Sequence, residues 1–287
     1  SRSGKYIASG QKTHMGFKAT VLLWDFEKAL ENESDAILKK MSNLHKVKVQ
    51  DLSFSPNDVF LASLGGTDCN TLCIWSVKTG KALVGVPAAV DHGLTVSYYN
   101  NDDNMLVTGG FYHLRRWQFD PVTCILTPVE ANLGTLRRVV NCVAISSDDK
   151  YAYAGTGSGD LLKIELSCKT PAFKLSAPDL FSKGINSVCW MKGEDGDQVI
   201  IGNGDGSVVR LNDDNLTHLD RKKARQISAA SISGGVTSIA PARGSSVDEV
   251  VKSIFCGTRE SCIYKCPDVT DIAKIQLKAS CHYSPIN

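Results

Sequence analysis

The residues with the most obvious capacity for chemistry are cysteines and a histidine late in the sequence. They are Cys256, Cys262, Cys266, Cys281 and His282. A zinc site needs four such ligands in a tetrahedron. On one strand, Cys262 and Cys266 would lie about 13 Å apart at about 3.3 Å per residue, too far to share an ion without bending. Cysteine also packs as a small apolar residue, so the sequence predicts core packing here and no metal site.

Two glycine-rich stretches resemble phosphate-binding loops, at residues 155–159 and 202–206. Neither is followed by Lys-Ser/Thr, and neither opens a helical pattern whose N-terminus would meet a phosphate. Thr79-Gly80-Lys81 lacks the first glycine of such a loop. We therefore predict hairpin turns at these positions and no nucleotide cofactor.

Nucleophilic catalysis has no support in the sequence. There is no Gly-x-Ser-x-Gly motif, and no Cys/His pair lies in a recognisable local frame. The histidines are expected to make structural hydrogen bonds; they are His14, His45, His92, His113, His218 and His282. We therefore expect no catalytic residues, no cofactor and no enzymatic activity.

Basic clusters and one insertion remain as candidates for partner binding. The basic residues are Arg115, Arg116, Arg137, Arg138, Arg221, Lys222, Lys223 and Arg225. These residues either lie in solvated loops or contact an acidic partner, and the sequence does not show that they share one face. In the insertion at 12–18, Met15, Phe17 and Lys18 either meet a partner or pack on their own sheet.

These residues lie within internal repeats whose period is in the forties. Each repeat has an apolar segment that ends in small residues near a glycine, at 6–10, 60–65, 105–109, 151–155, 199–202 and 253–257. A second apolar segment follows each one after a turn, at 21–25, 72–76, 114–117, 161–164, 208–211 and 263–266. Alternating segments such as 49–54 and 185–190 come before the pair, and a segment such as 81–86 follows it. Short β-branched runs that end at Asp, Asn or Gly turns are typical of strands.

Four-stranded antiparallel units of this length predict an all-β fold, a β-propeller in which each blade buries both faces against its neighbours. The repeats are approximately 1–44, 45–91, 92–137, 138–183, 184–234 and 235–281 of a single domain, 1–287. About 23 strands are visible, against about 28 for seven closed blades. The deficit is one blade and the first strand of the first visible blade. We therefore expect six visible blades of a seven-bladed ring that lacks its first blade, in a fragment of a longer parent chain; the alternative is a ring that is open or differently closed.

Composition and charge exclude several classes of protein. The 287 residues are 43% hydrophobic and 22% charged with a net charge of +2, which excludes wholesale disorder and a polyanion-binding surface. No apolar run reaches the roughly 18 residues needed to span a bilayer. The 10 cysteines include no CxxC pair, which is typical of reduced thiols in the cytosol. We expect no membrane, nucleic-acid or small-molecule partner.

The repeats resemble the WD-repeat family. Trp24-Asp25 matches its signature dipeptide, and Trp75-Ser76 and Trp117-Gln118 are degenerate versions. His45 and His92 lie near positions where that family often places a histidine. In the later repeats the tryptophan is replaced, by Ile164, Leu211 and Cys266. The resemblance implies a WD40-type propeller.

Residues 6–19, 52–58 and 234–239 look like a ciliary and flagellar branch of this family, and Gly16-Phe17-Lys18-Ala19 is the most specific stretch. That resemblance implies a non-enzymatic scaffold in the axoneme of a cilium or flagellum, with two tandem propellers. It would bind tubulin and other axonemal proteins of doublet microtubules, and the basic clusters would contact acidic tubulin surfaces. The alternative is a general cytosolic adaptor, either a ubiquitin-ligase substrate receptor or a signalling scaffold, because the fold alone does not choose between them.

Overall fold

The structure is a computed structural model that describes residues 1–13, 18–31, 35–42, 44–177, 181, 183–193, 196–212, 229–242 and 250–280. Within these ranges the chain forms 23 strands in six antiparallel sheets, together with two short helices. The chain divides into two compact units, Ser1–Ala131 and Asn132–Asn287. The predicted all-β fold and the predicted number of strands are confirmed.

Unit 1 contains three sheets. The first has three strands, β1 (Tyr6–Gly10), β2 (Val21–Asp25) and β3 (Ile37–Met41). The second is built from β4 (Val49–Phe54), β5 (Phe60–Gly65), β6 (Thr71–Ser76) and β7 (Ala82–Pro87). The third is built from β8 (Gly93–Tyr98), β9 (Met105–Gly110), β10 (His113–Asp120) and β11 (Ile125–Glu130). The first sheet has three strands because no described segment pairs with the free side of β1, which agrees with the predicted count of about 23 strands.

Unit 2 contains three four-stranded sheets. The first comprises β12 (Val140–Ile145), β13 (Tyr151–Thr156), β14 (Leu161–Glu165) and β15 (Ala172–Ala177). The second comprises β16 (Ile185–Gly193), β17 (Gly196–Asn203), β18 (Ser207–Asn212) and β19 (Ala229–Ser231). The third comprises β20 (Val236–Pro241), β21 (Ile254–Thr258), β22 (Cys262–Cys266) and β23 (Gln276–Ser280).

The two central strands of the second sheet, β5 and β6, are buried on both faces, which explains why they are largely apolar. Ala62 and Leu64 of β5 belong to a core cluster with Val96 of β8. Leu61, one residue before Ala62, belongs to a separate cluster with Leu23 of β2. Successive side chains of a strand point to opposite faces, so one strand contributes to two cores.

A β-bulge recurs where the first and second strands of a sheet pair. The register shifts at Val49/Asp51, Gly93/Thr95, Val140/Cys142, Ile185/Ser187 and Val236/Ser238. In the first two sheets of unit 2 the bulged residue is an asparagine that reaches the next sheet. The amide of Asn141 donates to the Ile185 carbonyl at 3.0 Å, and that of Asn186 to the Val236 carbonyl at 3.1 Å. The bulges therefore tie adjacent sheets together through side-chain hydrogen bonds.

A short α-helix, α1 (Phe26–Leu30), interrupts the first sheet after β2. Asp25 caps it, because its carboxylate accepts hydrogen bonds from the backbone N–H groups of Glu27 and Lys28 at 3.1 and 3.3 Å. A single 3-10 turn, Ile272–Lys274, lies before β23. The repeat pattern predicts neither helix.

Candidate protein-interaction site

The basic pair on β10 is divided between the two faces of its strand. The Arg115 guanidinium forms a salt bridge with Glu130, its cross-strand neighbour on β11. Its Nη1 also donates to the Ala88 carbonyl at 2.9 Å. Arg116 is half-buried and points to the opposite face. Arg115 is thus held by groups of its own unit, and the two charges do not form one basic surface.

The second basic pair, before β12, is also divided. Arg138 forms a salt bridge with Asp160, whose side chain is only 3% exposed. The Ser158 hydroxyl donates to the same carboxylate at 2.8 Å. Arg137 is exposed to solvent. Arg138 therefore neutralises a buried carboxylate within unit 2, whereas the position of Arg137 leaves it accessible to a partner.

The insertion and the densest basic cluster lie largely outside the described residues. These are Met15, Phe17, Arg221, Lys222, Lys223 and Arg225. At the start of the insertion, the Thr13 N–H donates to the Val47 carbonyl at 2.6 Å, and Lys12 forms an isolated bridge with Lys48. At its end, Lys18 is exposed. The assignment of all these residues to partner binding stays a prediction.

The glycine-rich stretches are hairpin turns, as predicted. Residues 157–160 connect β13 to β14, and residues 204–206 connect β17 to β18. Gly159 has φ +88°, and an added Cβ would lie 1.9 Å from the Phe181 carbonyl oxygen, so only glycine fits there. No helix begins at either turn.

Two of the late cysteines are core residues. Cys256 and Cys266 have no exposed surface and belong to one apolar cluster in unit 2. Burial, with Cys266 and Cys189 nearby, raises the pKa of the Cys256 thiol to about 12, so it stays protonated at neutral pH. Cys262 is half-buried. The predicted packing role is confirmed for Cys256 and Cys266, while Cys281 and His282 lie outside the described residues.

Within the described ranges, no group of three or more His, Cys, Asp or Glu side chains is arranged to hold a metal ion. Over the same ranges, no helix has the length and apolarity to cross a membrane.

A buried hydrogen-bond network links Ser63 of β5 and Trp75 of β6 to His45, which precedes β4. The Trp75 indole donates to the Ser63 hydroxyl oxygen at 2.7 Å, and the same hydroxyl lies 2.7 Å from His45 Nε2. All three residues are at most 3% exposed. Burial lowers the pKa of His45 to about 4, so the ring is neutral at pH 7. Every group is satisfied when Ser63 donates to Nε2. His45 therefore has the structural role that was predicted.

The indole–hydroxyl pair recurs in all three sheets of unit 1. Trp24 donates to Ser9 and Trp117 to Thr108, each at 2.8 Å. In unit 2 both partners change together at the equivalent cross-strand positions: Ile164 with Ala154, Leu211 with Ile201, and Cys266 with Cys256. Because an unpaired buried N–H or hydroxyl is costly, the two polar groups are lost as a pair.

Two exposed loops have no distinguishing signal in the repeat pattern. Val90, between β7 and β8, is 94% exposed, and Tyr112, between β9 and β10, is 49% exposed with φ +61°. A bulky residue in the left-handed region is unusual and often marks a functional position. A single valine in a loop has no periodicity, so the sequence alone does not distinguish it from a core residue.

The comparisons with known proteins agree with this architecture. The family described as WD domain, G-beta repeat, matches residues 39–76. The β-propeller domain of Cps50 (Swd1) from Myceliophteria thermophila superimposes with a TM-score of 0.71 over 99% of this chain and 84% of that one. Because the sequence identity is only 14%, this structural similarity shows the fold alone. The chain has a WD40-type β-propeller fold, in which each of the six sheets is a blade.

Within that class, the chain is similar over 100% of its length to cilia- and flagella-associated protein 52. It is 36% identical to the Chlamydomonas reinhardtii protein, and 35% identical to those of Bos taurus and Homo sapiens. The chain spans 43% of the algal protein and 42% of each of these mammalian ones. The expected resemblance to a ciliary and flagellar WD-repeat protein is confirmed.

Proposed function

We propose that this chain belongs to a structural component of ciliary or flagellar microtubules, with no catalytic activity. The observation that carries the proposal is the match at 35–36% identity, over the whole chain, to proteins named for cilia and flagella. The chain covers less than half of each relative, so the proposal concerns the parent protein of which this propeller would be a part.

The chemistry of the described residues supports a binding role over catalysis. His45 is buried and neutral, and its Nε2 is hydrogen-bonded to Ser63. The pKa of His113 is lowered by burial, and its Nδ1 lies 3.0 Å from the Phe111 carbonyl. The Cys256 thiol is deep in a core. These three side chains are thus occupied in holding the sheets.

The proposed partners include tubulin, with neighbouring axonemal proteins. Tubulin contact through basic residues would be electrostatic and sensitive to salt. Among the described basic candidates, Lys18 and Arg137 are exposed. Arg115 and Arg138 hold carboxylates of their own units. We therefore propose that Lys18 in unit 1 and Arg137 in unit 2 are each positioned to contact tubulin separately, and that the cluster from Arg221 to Arg225 also contributes.

The deciding experiment locates the tagged parent protein in a flagellated cell before and after detergent extraction. A signal along the axoneme that survives extraction is expected for a built-in microtubule protein. A diffuse signal that detergent removes completely would refute the proposal and favour the soluble adaptor.

Charge reversal then tests the tubulin contact in the same cells. Reversal of both Lys18 and Arg137 to Glu should lower the salt concentration at which the protein leaves isolated axonemes. Lys81→Glu is the matched control, because Lys81 is also exposed but lies in the turn before β7. Equal release of both variants would show that Lys18 and Arg137 make no such contact.

A further inference from the structure

The loop at 88–92, between β7 and β8, is fixed by hydrogen bonds although it is a surface loop. Asn70 is the main anchor: its amide nitrogen donates to the carbonyls of Ala89, at 2.8 Å, and Asp91. Its amide oxygen accepts from the Gly93 N–H at 2.9 Å. One side chain therefore holds the loop at three points and removes much of its conformational freedom.

Two further contacts fix the loop against the third sheet. Arg115 donates to the Ala88 carbonyl at 2.9 Å, and the Phe111 N–H donates to the His92 carbonyl at 2.9 Å. The approach is so close that a Cβ on Gly110 would lie 2.0 Å from the His92 carbonyl oxygen. The loop and the turn between β9 and β10 thus form one rigid surface.

This surface displays apolar and aromatic groups. Val90 is 94% exposed at the loop tip. The Phe111 ring packs edge-on against His92, at 5.3 Å between centroids, and against the half-exposed Tyr112, at 6.1 Å. We call Val90, His92, Phe111 and Tyr112 the Val90 surface. Rigid, exposed aromatic and aliphatic anchors are the typical centre of a protein-binding site, because they lose little entropy on binding.

The charge beside the Val90 surface is negative. Asp91 is exposed, and among the described residues its carboxylate forms no salt bridge. The nearby Glu130 is already paired with Arg115. His113, which faces this region from β10, is buried with a lowered pKa and is therefore neutral at pH 7. The remaining negative charge, on Asp91, favours a partner that carries a cationic group.

We infer that the Val90 surface is a docking site for a segment of a partner protein that carries an apolar side chain next to a lysine or arginine. The apolar side chain packs on Val90 and Tyr112, and the basic group pairs with Asp91. This inference does not depend on the proposed function. Its partner is opposite in charge to the acidic tubulin surface proposed for Lys18 and Arg137.

The test selects binders from a displayed library of random 12-residue peptides on the full chain. We expect enriched peptides to place Leu, Ile or Phe next to Lys or Arg. Val90→Asp or Tyr112→Ala should weaken their binding by about tenfold or more, as expected for a hot-spot residue. Val122→Asp is the matched control, because Val122 is 88% exposed but lies in the turn between β10 and β11. That control should leave binding unchanged.

A charge swap tests the basic group separately. Asp91→Lys should reverse the selection, so that acidic residues replace Lys and Arg in the enriched peptides. The replaced side chains are exposed, and an unchanged circular dichroism spectrum verifies that each variant is folded. The inference is overturned if no enriched peptide depends on Val90, if Val122→Asp weakens binding equally, or if the wild-type chain selects acidic peptides.

Discussion

Ser63→Ala is the substitution that most directly tests the buried network of the second sheet. The Ser63 hydroxyl is fully buried and lies 2.7 Å from both Trp75 Nε1 and His45 Nε2. Its removal leaves two buried polar atoms without that partner, at about 1–3 kcal/mol each. Loss of one oxygen atom leaves only a small cavity, which adds little to this cost. We therefore expect the free energy of unfolding to fall by about 2–6 kcal/mol.

Urea denaturation followed by circular dichroism and tryptophan fluorescence measures this loss. Ser9→Ala is the matched control, since Ser9 accepts from a Trp24 indole that is only half-buried and can turn to water. It should cost less than about 1 kcal/mol. Ser63→Thr should retain most of the stability, because Thr108 makes the same bond to Trp117. The reasoning fails if Ser63→Ala costs no more than Ser9→Ala, or if Ser63→Thr is equally damaging.

Two further predictions concern buried carboxylates. Burial raises the pKa of Asp51 to about 6, so its contribution to stability is complete below pH 4 and is lost as the pH rises through 6. Both carboxylate oxygens accept backbone N–H groups and an amide has only one acceptor oxygen, so the test is the change with pH and not the absolute stability. Between pH 4 and pH 7.5 the wild type should lose about 3 kcal/mol more stability than Asp51→Asn, and equal losses would contradict this. Arg138→Ala should cost about 2–3 kcal/mol in urea denaturation because Asp160 then loses its charge partner, whereas the exposed Arg137→Ala should cost less than about 0.5 kcal/mol; equal losses would refute the structural role.

The positions of the strands could be predicted because the physics that sets them is local. An apolar run ending at a glycine, such as residues 60–65, specifies a strand and its turn within one stretch of sequence. The role of the buried histidine could also be predicted, since a neutral imidazole in a core needs a hydrogen-bond partner.

The pairing of the arginines could not be predicted, because their partners are distant in sequence. Glu130 is 15 residues from Arg115, and Asp160 is 22 residues from Arg138. The Arg115 pair depends on the register between β10 and β11, and the Arg138 pair lies beside β12 and β13, whose register a bulge shifts by one residue. A hydrophobic pattern of period two does not encode such a shift.

The paired loss of indole and hydroxyl has a consequence for spectroscopy. Unit 1 contains Trp24, Trp75 and Trp117, each at the same place in its sheet, whereas Trp190 is the one tryptophan of unit 2. Seven of the 10 cysteines belong instead to unit 2. The protein thus carries its own pair of reporters: indole emission follows mainly unit 1, and thiol accessibility follows mainly unit 2. Comparing the two signals in one denaturation series shows, without any label, whether the units unfold together.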